Sequence, residues 1–298
     1  MTRSSYRVGL LQGVLAYGLW GIVAAYWKLL SHVSPVELIA HRAVWGLGSF
    51  LIIVVVAGQW RPFVTALRDL RLVGVMALSS FLLAINWGVF VGATTHGHLL
   101  DASLGYFINP LVSIALGTLV LRERLRRLQW IAIALAAIGV GVLTWRAGRI
   151  PWIALVLAGT WGLYGLVRKT ARVDALVGST IETVLLAPIA AVYLIAIGGG
   201  VMPTATASTN ALLVGTGVIT VVPLVLFTSA ARRLPLSTVG FLQYLAPTGQ
   251  FLLAVLAFGE PLAHDRLMAF AWIWAGLAAF SIDRARQAAA ASASQKST

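Results

Sequence analysis

The chain contains no cysteine, so disulfides, thiolate nucleophiles and cysteine-ligated metal sites are excluded. Charge is also scarce. Only 10% of the 298 residues are charged, against about a quarter in a soluble domain, too few to cover a water-facing surface. Acidic groups are rarer still, with nine Asp and Glu against 22 Lys and Arg. No HExxH zinc motif, GxSxG nucleophile elbow, phosphate-binding P-loop or GxGxxG fingerprint occurs, and no paired carboxylates share a site. Hydrolytic and nucleotide-dependent chemistry therefore lose their signatures, and no cofactor or metal is implied. What remains is apolar. Hydrophobic residues make up 59% of the chain and the mean hydropathy is +0.90. The apolar residues form continuous runs, each long enough to span a bilayer as a helix of about 20 residues. In lipid the backbone must satisfy its own polar groups, and continuous rather than alternating runs select helices over a barrel.

Ten membrane helices are expected, at Gly9–Leu30, Val36–Ala57, Leu72–Ala93, Leu99–Leu121, Leu128–Trp145, Ile150–Val167, Ala175–Ile197, Ala211–Ala230, Leu236–Phe258 and Leu267–Ile282. The first is too long for a typical signal peptide and no small-residue cleavage pattern follows it. The net charge of +13 does not point to nucleic acid, because the basic residues sit in short gaps between apolar runs. With the amino terminus cytoplasmic, all Lys and Arg fall on the inner side except Lys28, Arg42, Arg146, Arg149 and Arg266. That bias places both termini in the cytoplasm.

The chain repeats itself. Trp20-Gly21 and Lys28 recur in the second half, at one constant offset, as Trp161-Gly162 and Lys169. Pro110 and Glu123 recur at a second, slightly shorter offset as Pro247 and Glu260. Five helices per half is an odd number, so the halves cross the membrane in opposite senses. This is the inverted repeat of many transporters, with a substrate site between the halves. The expected organisation is a first repeat over 1–146, a second over 147–284 and a disordered cytoplasmic tail over 285–298, with Gly198–Thr209 a flexible outer loop.

Polar groups inside membrane helices usually face a cavity, because a central charge costs about 2.5–3.5 kcal/mol on insertion scales. The helices at 128–145 and 267–282 are nearly all aliphatic or small and read as scaffold. Glu37 and His41 share a face of the second helix. With Arg42 they form either a proton relay with a carboxylate anchor or a structural ion-pair cluster. Glu182 is a coupling carboxylate, a ligand for a substrate ammonium, or the ion-pair partner of Arg168, Lys169 or Arg172. Pro110 and Pro247, expected inside helices, would free the carbonyls of Tyr106 and Gln243 and act as matched hinges beside Asn109, Gln243, Tyr244 and Gln250. Tyr17, Trp20, Asn86, Trp87, Tyr106, Trp161 and Tyr164 supply the remaining walls of a chamber suited to amphipathic ligands. Trp60, Trp130, Trp145 and Trp152 read as interfacial anchors. His96 and His98 flank a glycine without further ligands and do not make a metal site.

His41-Arg42, Asn86-Trp87, the Gly105–Pro110 stretch GYFINP, Glu123-Arg124 and the Leu236–Glu260 stretch occur in register along the ten helices. In this pattern the chain resembles the RarD branch of the EamA-type drug/metabolite transporters. The resemblance implies a ten-helix permease of the bacterial inner membrane that exports amino acids, metabolites or drug-like molecules. Taken together, the residues predict an exporter of small amphipathic molecules that works by alternating access and is not driven by ATP. Its partners are the substrate and the bilayer, and the chain acts as a monomer or homodimer. A membrane scaffold or an intramembrane enzyme is the alternative.

Overall fold

In the computed structural model of the chain every described secondary element is a helix. The structure describes residues 3–95, 99–147, 152–257, 267–268, 271–283 and 286. In order these form α1 (Arg3–Leu29), α2 (Pro35–Val56), α3 (Trp60–Arg68), α4 (Leu70–Thr95), α5 (Leu99–Leu119), α6 (Arg127–Ala147), α7 (Trp152–Thr170), α8 (Ala175–Ala196), α9 (Ala207–Arg233), α10 (Leu236–Gln243), α11 (Leu245–Leu256) and α12 (Ala271–Asp283). Among the described residues, five helices (α1, α2, α4, α8 and α9) are long and apolar enough to cross a membrane. His96, His98, Pro151, Glu260 and all of the 285–298 tail but Arg286 lie outside the described residues.

Short polar residues set the helix starts by accepting from first-turn amides. The Ser34 hydroxyl accepts from Glu37 N–H at 3.4 Å, with Pro35 opening α2 where its missing donor is harmless. Asp69 accepts from Arg71 and Leu72 at the start of α4, and Asp174 accepts from Leu176 at the start of α8.

Two elements depart from the sequence reading. The gap between the second and third spans holds α3, nine residues whose Phe63 and Ala66 are buried while Trp60 faces outward. Its apolar residues recur at helical spacing over too few residues to register as a span. The run expected as one helix at Leu236–Phe258 is two, broken at Tyr244. Pro247 is the third residue of α11, where a helix amide is unpaired anyway. It therefore does not free the Gln243 carbonyl from inside a helix, whereas Pro110 does lie inside α5.

The helices pack in matching pairs. α1 lies against α9 and α11, and α7 lies against α4 and α5. α2 packs on α8 and α9, α4 on α8, and α5 on α10. Glycines permit two of the closest crossings. A Cβ on Gly21 would stand 3.2 Å from Gly249 Cα, and one on Gly162 would stand 2.8 Å from Val112 Cγ1. The small residues of the two scaffold helices serve each other: a Cβ on Gly276 of α12 would meet the Ala132 carbonyl of α6 at 2.7 Å. Tyr17, Phe50, Met76, Tyr164 and Phe227 sit in the main core.

One end of the bundle is basic. There Arg232 pairs with Asp174 at 3.7 Å, and Arg233 donates to Gln12 at 3.3 Å. At the opposite end Tyr26 Oη donates to the Leu212 carbonyl at 2.5 Å. Residues 198–209 are also tied down here, contrary to the expectation of a loose loop. Val201 N–H donates to Glu37 Oε1 at 2.7 Å, Asn210 Nδ2 donates to the Met202 carbonyl at 3.1 Å, and Val201 and Met202 pack over Leu30, Val33 and Leu213. Gly198, Gly199 and Gly200 all take positive φ in the preceding turn, which permits this close return.

Candidate functional site

The centre of the bundle is a cluster of rings. Trp20 of α1 meets Trp161 of α7 edge-on, with centroids 5.5 Å apart. Phe227 of α9 fills the middle, 5.8 Å from Trp20, 5.2 Å from Trp161 and 5.9 Å from Tyr164, onto which it stacks. Tyr17 closes the group 5.4 Å from Trp20 and 6.0 Å from Phe227. Aromatic pairs in these geometries contribute about 0.5–1.5 kcal/mol each beyond their buried area. The expected open chamber is therefore, in this state, a packed aromatic plug at Tyr17, Trp20, Trp161 and Tyr164.

On the basic side of the plug lies a sealed polar network. Arg168 Nε stands 3.5 Å from Glu182 Oε1, and both side chains are at most 1% exposed. Ser79 of α4 donates to Glu182 Oε1 at 2.5 Å, and Tyr164 Oη donates to Glu182 Oε2 at 3.2 Å. Arg168 Nη2 donates to the Ala175 carbonyl at 2.9 Å, and Nη1 lies 3.1 Å from Met76 Sδ. Gly178 makes room for the guanidinium: a Cβ there would overlap Arg168 Nη1. Of the partners considered for Glu182, the structure selects Arg168. Lys169 instead donates from Nζ to the Ala231 and Leu234 carbonyls at the end of α9, and Arg172 is exposed.

Beyond the plug, toward the other end, Arg42 lies between two indoles. Its Cζ is 5.1 Å from the Trp27 centroid and 5.1 Å from the Trp87 centroid. Arg42 Nε donates to Thr220 Oγ1 of α9 at 3.1 Å, and the Tyr106 phenol is within electrostatic reach. Arg42, Trp87 and Thr220 line a narrow cavity with Phe50, Leu83 and Leu224. It has room for little more than one water molecule. Tyr106, packed edge-on against Phe90 at 6.0 Å, keeps 39% of its surface accessible.

The other expected site residues divide between anchors and orphans. Asn86 donates to the Leu157 carbonyl and to Thr160 Oγ1, both at 2.9 Å, binding α4 to α7. Gln250 donates to the Trp20 carbonyl at 3.2 Å, binding α11 to α1. Tyr244 Oη donates at 3.4 Å to the Phe107 carbonyl, next along the chain from the Tyr106 carbonyl that Pro110 frees. Gln243 donates to Ser113 Oγ at 2.8 Å, while its buried Oε1 and Asn109 Oδ1 find no hydrogen-bond partner among the described residues. Buried orphans of this kind cost about 1–3 kcal/mol each. His41 is 3.5 Å from Glu37, and neither ring nitrogen makes a hydrogen bond among the described residues.

The sequence reading missed Trp27, Ser79, Thr220 and Phe227, and it gave Arg168 only as one of three candidate partners of Glu182. A signal was present for several of them. The offset that carries Trp20 to Trp161 also carries Ser79 to Thr220, His41 to Glu182 and Trp27 to Arg168. Ser79 of α4 is hydrogen-bonded to Glu182 of α8, and Arg42 of α2 to Thr220 of α9.

The profile of the EamA-like transporter family matches residues 7–145. Protein RarD of Escherichia coli (strain K12) is 44% identical over 286 residues, covering 95% of this chain and 97% of the relative. An uncharacterized transporter of Pseudomonas aeruginosa is 48% identical over 289 residues, covering 95% and 96%. A solved structure described as the crystal structure of a protein is similar in fold, with a TM-score of 0.72 at 21% identity over 92% of this chain and 96% of that one. The chain belongs to the EamA-like transporter family and is a RarD-type membrane transporter.

Proposed function

We propose that this chain is an inner-membrane permease that exports small amphipathic metabolites, with amino acids and related drug-like molecules the leading class, by alternating access and without ATP. The observation that carries the reading is the contact of the repeat counterparts Trp20 and Trp161 between two unlike polar sites. A ring plug at the interface of the halves is where alternating access needs its barrier. Ten spans in two inverted five-helix halves account for the paired packing. Gly21 meets Gly249 in one half as Gly162 meets Val112 in the other, and Gly249 follows Val112 at the offset that relates Pro247 to Pro110. The basic end faces the cytoplasm by the positive-inside bias, and both termini lie there.

In this arrangement the state described here is closed on the cytoplasmic side by Ser79, Tyr164, Arg168 and Glu182. Opening that side separates α4 from α8, and the halves rock about the plug. Asn109 and Gln243, each with an unmet carbonyl oxygen among the described residues, supply hydrogen-bond acceptors to a substrate passing Tyr244 and Pro110. Glu182 serves as a latch. Proton antiport through it would require the latch to open on protonation.

Flux of amino acids and amphipathic drugs in proteoliposomes, with and without a pH gradient, tests the reading. Substrate-dependent flux is expected, and Trp20→Ala and Asn109→Ala should reduce it while the variants remain folded. Flux unchanged in both variants would remove the site assignment, and pH-driven flux unchanged in Glu182→Gln would remove the coupling role. No flux of any compound would favour a scaffold.

A further inference from the structure

We propose that the stretch between α5 and α6 is a binding surface for anionic phospholipid, with Arg122, Arg124 and Arg127 holding headgroup phosphates of the leaflet at the basic end of the bundle. This goes beyond the permease reading and does not depend on it.

From Leu121 to Arg127 the chain reads Leu-Arg-Glu-Arg-Leu-Arg-Arg. Residues 122–126 are not helical, and their side chains alternate. Arg122, Arg124 and Arg126 are exposed, while Glu123 and Leu125 are turned toward the protein. Two anchors impose the alternation. The Glu123 carboxylate is held by the amides of Leu236 and Ser237 at the start of α10, and the Glu123 N–H donates to the Gly117 carbonyl at 3.0 Å. Leu125 packs against Ile114, Phe241 and Phe280. With every second side chain fixed inward, the arginines have only the outward side left. Arg122 opens the row at a positive φ of 55°, a left-handed turn away from α5. Arg127, the first residue of α6, is exposed as well.

The chain does not balance these cations itself. Glu123 is engaged by α10, and Asp283 stands 3.8 Å from Arg126. With a net charge of +13, the acids are too few for the bases wherever each carboxylate lies. The surroundings identify the partner that supplies the anion. Just before the row, Leu119 and Val120 are 80% and 55% exposed. Just after it, Arg127 shares an outward face of α6 with Trp130, Ile131, Ala134 and Ile138. A guanidinium at the end of an apolar stripe, one turn from an outward tryptophan, sits at headgroup depth, with the stripe beside the acyl chains. Phosphate is the anion at that depth. The arginine fork takes two phosphate oxygens at once, and the positive end of the α6 dipole adds to the attraction. A nucleic acid or an acidic soluble protein has no apolar surface to match the stripe. Each arginine strengthens attachment to an anionic surface about fivefold, so three give roughly a hundredfold.

Native mass spectrometry of the purified full-length protein in detergent, titrated with phosphatidylglycerol and with phosphatidylcholine of the same acyl chains, tests the proposal. Phosphatidylglycerol should bind at least tenfold tighter. Combining Arg122→Gln, Arg124→Gln and Arg127→Gln should abolish that preference, and lysine at the same three positions should keep only part of it. Combining Arg61→Gln, Arg68→Gln and Arg71→Gln removes as many exposed charges from α3 and the start of α4 and should leave the preference intact. A second measurement leaves the arginines in place: a fluorophore on Val120→Cys, in nanodiscs, should be quenched more by headgroup-spin-labelled phosphatidylglycerol than by the phosphatidylcholine analogue. Equal binding or equal quenching by the two lipids, a preference that survives the glutamine substitutions at 122, 124 and 127, or an equal loss in the α3 control overturns the proposal. Displacement of the lipid by inorganic phosphate would make this a site for a free anion. Disulfide formation between copies through Ala134→Cys would make the stripe a contact with a second chain. Either result also overturns it.

Discussion

Removing Glu182 should be more damaging than removing Arg168, and removing both should cost less than removing Glu182 alone. The Arg168 and Glu182 side chains are at most 1% exposed and 3.5 Å apart. Deleting one partner of a buried pair costs about 3–5 kcal/mol, because a charge is left in low dielectric. The two deletions are not equivalent. A carboxylate left alone can take up a proton, whereas a guanidinium cannot shed one. Glu182→Leu also orphans the Ser79 and Tyr164 hydroxyls, at about 1–3 kcal/mol for each that finds no new acceptor. Glu182→Leu is therefore expected at or above about 5 kcal/mol, and Arg168→Met nearer the lower figure of about 3 kcal/mol. The double variant removes the unpaired charge, a replacement often close to neutral, but still orphans the Ser79 and Tyr164 hydroxyls at about 1–3 kcal/mol each, so it should be less destabilised than Glu182→Leu alone. Unfolding in detergent, followed by tryptophan fluorescence, gives the four corners of the cycle. A coupling below about 1 kcal/mol, with both single variants well folded, would refute the reasoning: it would mean that water reaches the pair and that it does not seal the basic end.

Two further substitutions test the packing around the site. Gly178→Ala should destabilise the protein by several kcal/mol despite adding one methyl, because its Cβ would overlap Arg168 Nη1; Gly178→Ala in the Arg168→Met background should lose much of that penalty in the same unfolding assay. Glu123→Ala removes a carboxylate that accepts from Leu236 N–H at 2.6 Å, from Ser237 N–H at 3.0 Å and from Ser237 Oγ at 2.7 Å. Loss of this cap should cost about 2–3 kcal/mol and raise hydrogen exchange in α10, with Glu123→Gln intermediate.

The membrane class and most helix positions were legible because apolar length is a one-dimensional property. Nine of the ten expected spans correspond to single described helices, allowing for ends that shift by a few residues. The break at Tyr244 was not legible, since nothing in Leu-Gln-Tyr-Leu-Ala-Pro separates a kinked helix from two helices. The nine-residue α3 was hidden by a search for long runs. Tyr17, Trp20, Trp161 and Tyr164 were picked out as rings in the sequence, but their packing into a plug depends on Phe227, which looks like any lipid-facing phenylalanine. The choice of Arg168 over Lys169 and Arg172 as the partner of Glu182 was hardest to see. Arg168 adjoins Lys169, and a basic pair at a helix end reads as a surface signal. Only Gly178, one turn before Glu182, gives the guanidinium a place to fold inward.

Because the chain lacks cysteine, single thiols report accessibility without background. The most direct measurement is the reaction of a membrane-impermeant maleimide with Tyr106→Cys from outside and with Ser179→Cys from inside, in right-side-out and inverted vesicles, across ligands and pH. Tyr106 is 39% exposed and Ser179 is fully buried, so the first site should react and the second should be protected in the resting protein. Alternating access requires that any condition exposing position 179 slows labelling at position 106. Simultaneous reactivity at both sites would describe a channel, and a Ser179→Cys that never reacts would describe a static scaffold.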